Sequence, residues 1–220
     1  MNVQDILQQV SIRLTGIPVP SEEEEKFFLS CLNSAHFEIW DIVTDFYNTK
    51  YCRLNNVGVI FKEESNYGVE LTGVKKIFFV FKEKYGDLEE KSYEFLLTDP
   101  GFTQRGEPKN YILLRNPKSC TLFLAPLPTL PYHQVLWYGF AEHPTELLLG
   151  DQEAQIPYDP TVVQGLLIGA CLKAFESNLG TAVNSEYNNY ALKWQEFKSN
   201  LRSETYAQSP KTYGRIFTYV

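Results

Sequence analysis

Residues 156–180 read Ile156-Pro-Tyr-Asp159-Pro160-Thr-Val-Val-Gln-Gly165-Leu-Leu-Ile-Gly169-Ala-Cys-Leu-Lys173-Ala-Phe-Glu176-Ser-Asn-Leu-Gly180. Asp159 suits an N-cap, Pro160 the first helical position and Gly180 a left-handed stop, so the stretch is a helix with both ends marked. At about 100° per residue, Val163, Leu166, Leu167, Ala170, Cys171, Ala174 and Phe175 form a wide apolar face. Thr161, Gly165, Gly169, Lys173 and Glu176 form a second face. Each helix-interior glycine costs roughly 1 kcal/mol against alanine, a cost that makes sense where another backbone approaches closely. Gly165, Gly169, Lys173 and Glu176 are therefore a candidate subunit interface. A close crossing inside the chain, for instance with the first helix, is the competing reading of the same glycines.

The rest of the chain organises around this helix. Residues 2–14 place Val3, Ile6, Leu7, Val10 and Leu14 on one side of a short helix that Gly16-Ile-Pro-Val-Pro20 ends. Ser21-Glu-Glu-Glu24 is a capping box, and its acids suit a helix N-terminus. The helix it opens is expected to run to about Tyr47, with Phe28, Leu32, Ala35, Ile39, Ile42 and Phe46 repeating every three or four residues. After the organising helix, Val183, Tyr187, Tyr190, Trp194, Phe197 and Leu201 mark another. The short Leu179-Gly180-Thr181 link makes those two helices antiparallel. Asn188, Asn189, Lys193, Glu196 and Lys198 fall on its solvated side.

Between the helix pairs the period changes. Val57–Phe61, Lys75–Phe81, Tyr111–Leu114, Thr121–Leu124 and Gln134–Tyr138 are rich in aromatic and branched residues. Asn55-Asn56, Tyr85-Gly86-Asp87, Asp99-Pro100-Gly101 and Asn116-Pro117 divide them as turns would. Residues 88–97 fit helix and strand alike. The expected class is α+β. Residues 1–50 and 156–206 form an antiparallel helical bundle, 51–155 an inserted antiparallel β domain, and 207–220 an extended C-terminal tail. That tail contains Pro210 and Gly214 yet ends in Ile216, Phe217, Tyr219 and Val220, too apolar for a solvated terminus.

Composition narrows the function. The 220 residues are 44% hydrophobic and 15% aromatic, enough for a sizeable core. A net charge of −7 argues against a broad basic footprint on duplex DNA. Cys31, Cys52, Cys120 and Cys171 sit in or beside apolar stretches without a CxxC, as reduced, buried cysteines do. The N-terminus does not read as a signal peptide, and no apolar run approaches the roughly 18 residues that span a membrane. Phosphate-loop, dinucleotide, zinc-protease and nucleophile-elbow motifs are missing. His36, His133 and His143 lack ligand spacing. Asp41 and Asp45 could face a cation four residues apart, but a solvated helix side explains them, as ordinary solvation explains His143-Pro-Thr-Glu146. No catalytic residue, metal ligand or cofactor site is expected, and the chain is not expected to be an enzyme.

A set of ordered signals resembles a known family. Cys31-Leu-Asn-Ser-Ala35-His-Phe-Glu-Ile39 lies in the second helix. Then come Pro108-Lys-Asn-Tyr111-Ile, Leu122-Phe-Leu-Ala-Pro126-Leu-Pro128 and Val135-Leu-Trp-Tyr138. Ile156-Pro157, Leu166-Leu-Ile-Gly-Ala170, Tyr187, Tyr190 and Leu201 follow. Together they resemble the head–tail connector (adaptor) proteins of tailed phages, of the tail tubular protein A-like type. The chain departs where the family often has Leu-Pro-Asp/Glu-Asp; Lys62-Glu-Glu-Ser-Asn66 stands there instead.

The resemblance implies a helical bundle with an inserted β domain. It implies a homo-oligomeric ring, usually a dodecamer, docked on the portal protein at the head–tail junction of a virion assembled in the host cytoplasm. A downstream tail protein (nozzle, stopper or tail-tube component) would dock below it. DNA would be met only in passage, and a membrane not at all. The resemblance also implies that the C-terminal segment reaches the portal, which makes Lys211, Tyr213, Arg215, Ile216, Phe217, Tyr219 and Val220 candidate portal-binding residues. As a strand, Arg215, Phe217 and Tyr219 would face one side and Ile216, Thr218 and Val220 the other. The alternative expectation is a β-rich module that binds a glycan or tail fibre through its aromatics.

Overall fold

The computed structural model describes residues 2–61, 68–82, 86–98, 106, 108–116, 119–126, 132–149, 156–178 and 185–209. The chain is α+β and divides into two compact units. One combines residues 1–45 with 144–208 and the other is built on Phe46–His143. The boundaries thus fall at 45/46 and 143/144 rather than at 50/51 and 155/156. Tyr47 and Cys52 explain the first shift, because both are buried with Phe79 and Ala141 in the β unit. Asn33 explains the second. Its amide donates to the Leu147 carbonyl at 3.0 Å and its carbonyl accepts from the Leu147 N–H at 2.8 Å, which ties 144–149 to the helices.

The helical unit contains α1 (Val3–Thr15), α2 (Glu22–Val43), α4 (Pro160–Asn178) and α5 (Ser185–Gln208). Asn2 and Asp5 form a capping box on α1, and Gly16 ends it at φ 74°, where only glycine is unstrained. Ser21 and Glu24 form the box expected on α2. On α2, Phe28, Leu32, Ala35, Ile39 and Ile42 are all buried. The helix stops at Val43, sooner than its apolar repeat suggested.

Helix α4 lies against α1, α2 and α5. Its burial runs almost all round: Val162, Val163, Leu166, Leu167, Ala170, Cys171, Leu172 and Ala174 are buried, and Gly165 and Gly169 with them. A helix apolar on every side belongs in the middle of a core, and this one does. Gly165 meets Phe197, Gly169 meets Trp194, and Phe175 meets Tyr190, so α5 descends as α4 rises and the two are antiparallel. Gly180 and Val183 lie outside the described residues.

In the β unit, seven strands form one curled sheet in the order β1-β7-β3-β4-β5-β6-β2. They are β1 (Arg53–Phe61), β2 (Gly68–Thr72), β3 (Val74–Lys82), β4 (Gly86–Lys91), β5 (Asn110–Arg115), β6 (Ser119–Ala125) and β7 (Tyr132–Glu142). Neighbours run antiparallel with one exception: β4 and β5 are parallel, so the sheet is mixed and not the antiparallel one expected. The short helix α3 (Tyr93–Thr98) lies in the link between them, as a parallel connection requires a crossover. Residues 88–97 are thus strand and then helix. Gly73, at φ 74°, alone separates β2 from β3. Such a link between strands distant in sheet order demands the curl. Leu71, Val74, Ile77, Val80, Leu88, Tyr111, Leu122, Leu124, Tyr138 and Phe140 pack together as its core.

Candidate functional site

The two groups of residues singled out in the sequence fare differently. Lys211, Tyr213, Arg215, Ile216, Phe217, Tyr219 and Val220 lie outside the described residues. Gly165, Gly169, Lys173 and Glu176 are described: the two glycines are buried, Lys173 is half-buried and Glu176 is exposed.

A Cβ at Gly169 would stand 2.8 Å from the Trp194 ring and 2.9 Å from the Ala35 Cβ. A Cβ at Gly165 would run into the Phe197 ring. The glycine stripe is therefore an internal crossing of α4 with α2 and α5. It is not open to a neighbouring subunit, and its partner is not the first helix. Close approach here is to aromatic rings stacked at 5.6 Å, Trp194 on Phe197.

Lys173 and Glu176 extend the stripe into a charged cluster. Glu38 on α2 accepts from Lys173 Nζ at 2.8 Å, Lys198 Nζ at 3.1 Å and Trp194 Nε1 at 3.3 Å. Lys173 also reaches Glu176 at 3.3 Å. Lys198 lies 5.3 Å over the Trp194 ring and is only 17% exposed, so it turns inward rather than to solvent as its position suggested. One carboxylate thus joins α2, α4 and α5. Burial pushes Glu38 towards the neutral form, but hydrogen bonds and charge from Lys173 and Lys198 outweigh it and hold its pKa below the ordinary value. Burial also works against a charged Lys173, and Glu38 and Glu176 more than offset it, raising its pKa.

Beside this cluster is an open cavity of about 300 Å³, lined by Glu38, Asp41, Ile42, Asp45, Lys198 and Arg202. Its walls carry both signs of charge, three carboxylates facing Lys198 and Arg202. Cys31 and Cys171 are buried elsewhere in the same unit, each thiol pushed up to about 11 by burial. Among the described residues no group of three or more His, Cys, Asp or Glu side chains is placed to hold a metal ion. No described helix is long and apolar enough to cross a membrane.

The Glu38 network was missed in the sequence. Its one signal is an acid set between Phe37 and Ile39 on an otherwise apolar run. Of the β unit's described aromatics, Tyr47, Phe79, Tyr111, Tyr138 and Phe140 are buried, Phe46, Tyr51, Phe78, Phe81, Phe95, Phe123 and Trp137 are half-buried, and Tyr93 is 51% exposed. The sequence matches no family model and no curated protein.

Proposed function

We propose that the chain is a structural head–tail connector of a tailed phage, a subunit of a ring that joins the portal to the tail and leaves a channel for DNA. The observation that carries this reading is the discontinuous helical unit. Residues 1–45 and 144–208 close on each other around α4, and the β unit is spliced between them. That is the arrangement the resemblance in Cys31–Ile39, Tyr111, Val135–Tyr138 and Leu166–Ala170 leads one to expect.

Charge is consistent with the role. A chain of net charge −7 offers passing DNA few phosphate contacts, whereas a basic wall would bind it with each cation adding affinity. With the glycine stripe consumed inside the subunit, ring contacts fall to other surfaces.

Portal attachment is assigned to the tail beyond α5, residues 209–220; residues 207–208, expected in that tail, continue the helix instead. An extended segment must offset an ordering entropy of roughly 1–2 kcal/mol per residue, and a partner groove or sheet edge supplies the backbone bonds that do so. The test is sedimentation of the chain with its phage's portal, full-length and lacking residues 209–220. Full-length protein should co-sediment with the portal; the shortened chain should stay behind while melting at nearly the same temperature. A shortened chain that still co-sediments, or a full-length chain that never does, refutes the assignment.

A further inference from the structure

His36 sits on α2 with 2% of its surface exposed, and both ring nitrogens are engaged. Nε2 lies 3.1 Å from the Thr145 carbonyl, which can only accept, so Nε2 carries the proton and donates. Nδ1 is then a bare acceptor and takes the Tyr158 O–H at 2.8 Å. The two partners lie thirteen residues apart in sequence, one near each end of the segment that leads into α4. Between them Leu147 is held by both polar atoms of Asn33. One helical turn of α2, Asn33 to His36, thus holds Thr145, Leu147 and Tyr158, all within the helical unit.

Protonation of His36 disturbs this grip in two ways. Nδ1 becomes a donor, so Tyr158 must turn its own proton away from it; the His36 carbonyl, at 3.4 Å, offers only a poor hydrogen bond. A charge also appears where burial disfavours it. The surroundings do little to offset that. From α2 the ring faces Phe37 at 5.6 Å and Trp40 at 6.2 Å, and from the segment it faces the Tyr158 ring at 5.5 Å and the Thr145 carbonyl. The acids next to the two anchor points, Glu146 and Asp159, are exposed. Glu38, two residues along α2, is engaged with Lys173, Lys198 and Trp194.

We propose that His36 is an acid-sensitive latch: neutral, it holds Thr145 and Tyr158 on α2; protonated, it lets both of these contacts go. The proposal goes beyond the connector reading and does not depend on it. Burial lowers the His36 pKa against a smaller raising effect of the Thr145 carbonyl, in the same sense as the geometry. The sign follows. A folded pKa below the unfolded one gives stabilisation that is complete above the unfolded value and is lost as pH falls. With an unfolded pKa of about 6.5, one histidine can raise the opening equilibrium at pH 5.5 by at most about tenfold.

The test is hydrogen exchange of the full chain at pH 7.5 and 5.5, corrected for intrinsic rates and read at the Leu147 amide. The expected result is opening at pH 5.5 increased severalfold, up to about tenfold, and a His36→Gln variant that shows no such increase. Unchanged Leu147 protection at the two pH values, or an equal increase in the variant, overturns the latch. Should the variant fail to fold, NMR titration of the wild-type His36 ring decides. A midpoint below 6.5 that moves with the loss of Leu147 protection supports the latch, and a midpoint at or above it overturns the latch.

Discussion

Replacing Gly169 by alanine puts opposing effects on one atom. In a solvated helix the change would stabilise by roughly 1 kcal/mol through propensity alone. Here the new Cβ would stand 2.8 Å from Trp194 and 2.9 Å from Ala35, distances no real Cβ keeps. Neither neighbour gives way easily: Trp194 is 1% exposed, and the Ala35 Cβ is fixed to the backbone of α2. Overpacking of this kind costs about 1–3 kcal/mol, so Gly169→Ala should destabilise by a net ~1 kcal/mol. Gly169→Leu should do far worse. For a chain of this size the alanine variant should melt about 2–4 °C lower. A double-mutant cycle with Trp194→Leu identifies the source, because removing the ring should recover at least ~0.5 kcal/mol of the loss. A Gly169→Ala protein as stable as the parent, or more stable, would refute the internal crossing. So would a cycle with no coupling.

Other expectations follow from neighbouring contacts. Glu38→Gln removes the charge that Lys173, Lys198 and Trp194 share; with Glu38 partly exposed and solvent-screened, a loss of about 1–2 kcal/mol is expected in urea unfolding. Because its folded pKa is lowered, the Glu38 contribution is complete above the ordinary value near 4.5 and fades as pH falls through the folded value. Urea titrations of parent and variant should accordingly converge at acid pH. Cys31 and Cys171, with thiols near 11 and buried, should resist a thiol reagent at pH 8 in native protein and react on unfolding. Asn33→Ala strands both polar groups of Leu147 and should cost about 1–3 kcal/mol, seen first as faster exchange at the Leu147 amide.

The sequence revealed the helices because their apolar repeats are long and their ends chemically marked. Ser21 and Glu24 alone locate the start of α2. The two glycines of α4 announced a close approach but could not say to what. The answer, Trp194 and Phe197, lies some 25–32 residues further on, and Ala35 lies well over a hundred residues back. Contacts at such distances leave no periodic trace. Strand β4 stayed undecided because Gly86-Asp87 reads as a turn and Glu89, Glu90 and Lys91 favour helix, although pairing places it inside the sheet. The parallel β4–β5 pair was equally hidden, since it depends on the route of the link that contains α3. Lys198 was misread because a long side chain can hold its ammonium over an indole and still reach a carboxylate. Asn33, His36 and Tyr158 are ordinary residues in the sequence and became a grip only when the segment before α4 folded onto α2.

The connector role is tested most directly by negative-stain images of the purified chain mixed with portal rings of its own phage. The expected picture is a second ring, coaxial with the portal and open at its centre, on one end of each portal. Bare portals beside a chain that stays monomeric at every concentration tried would contradict it.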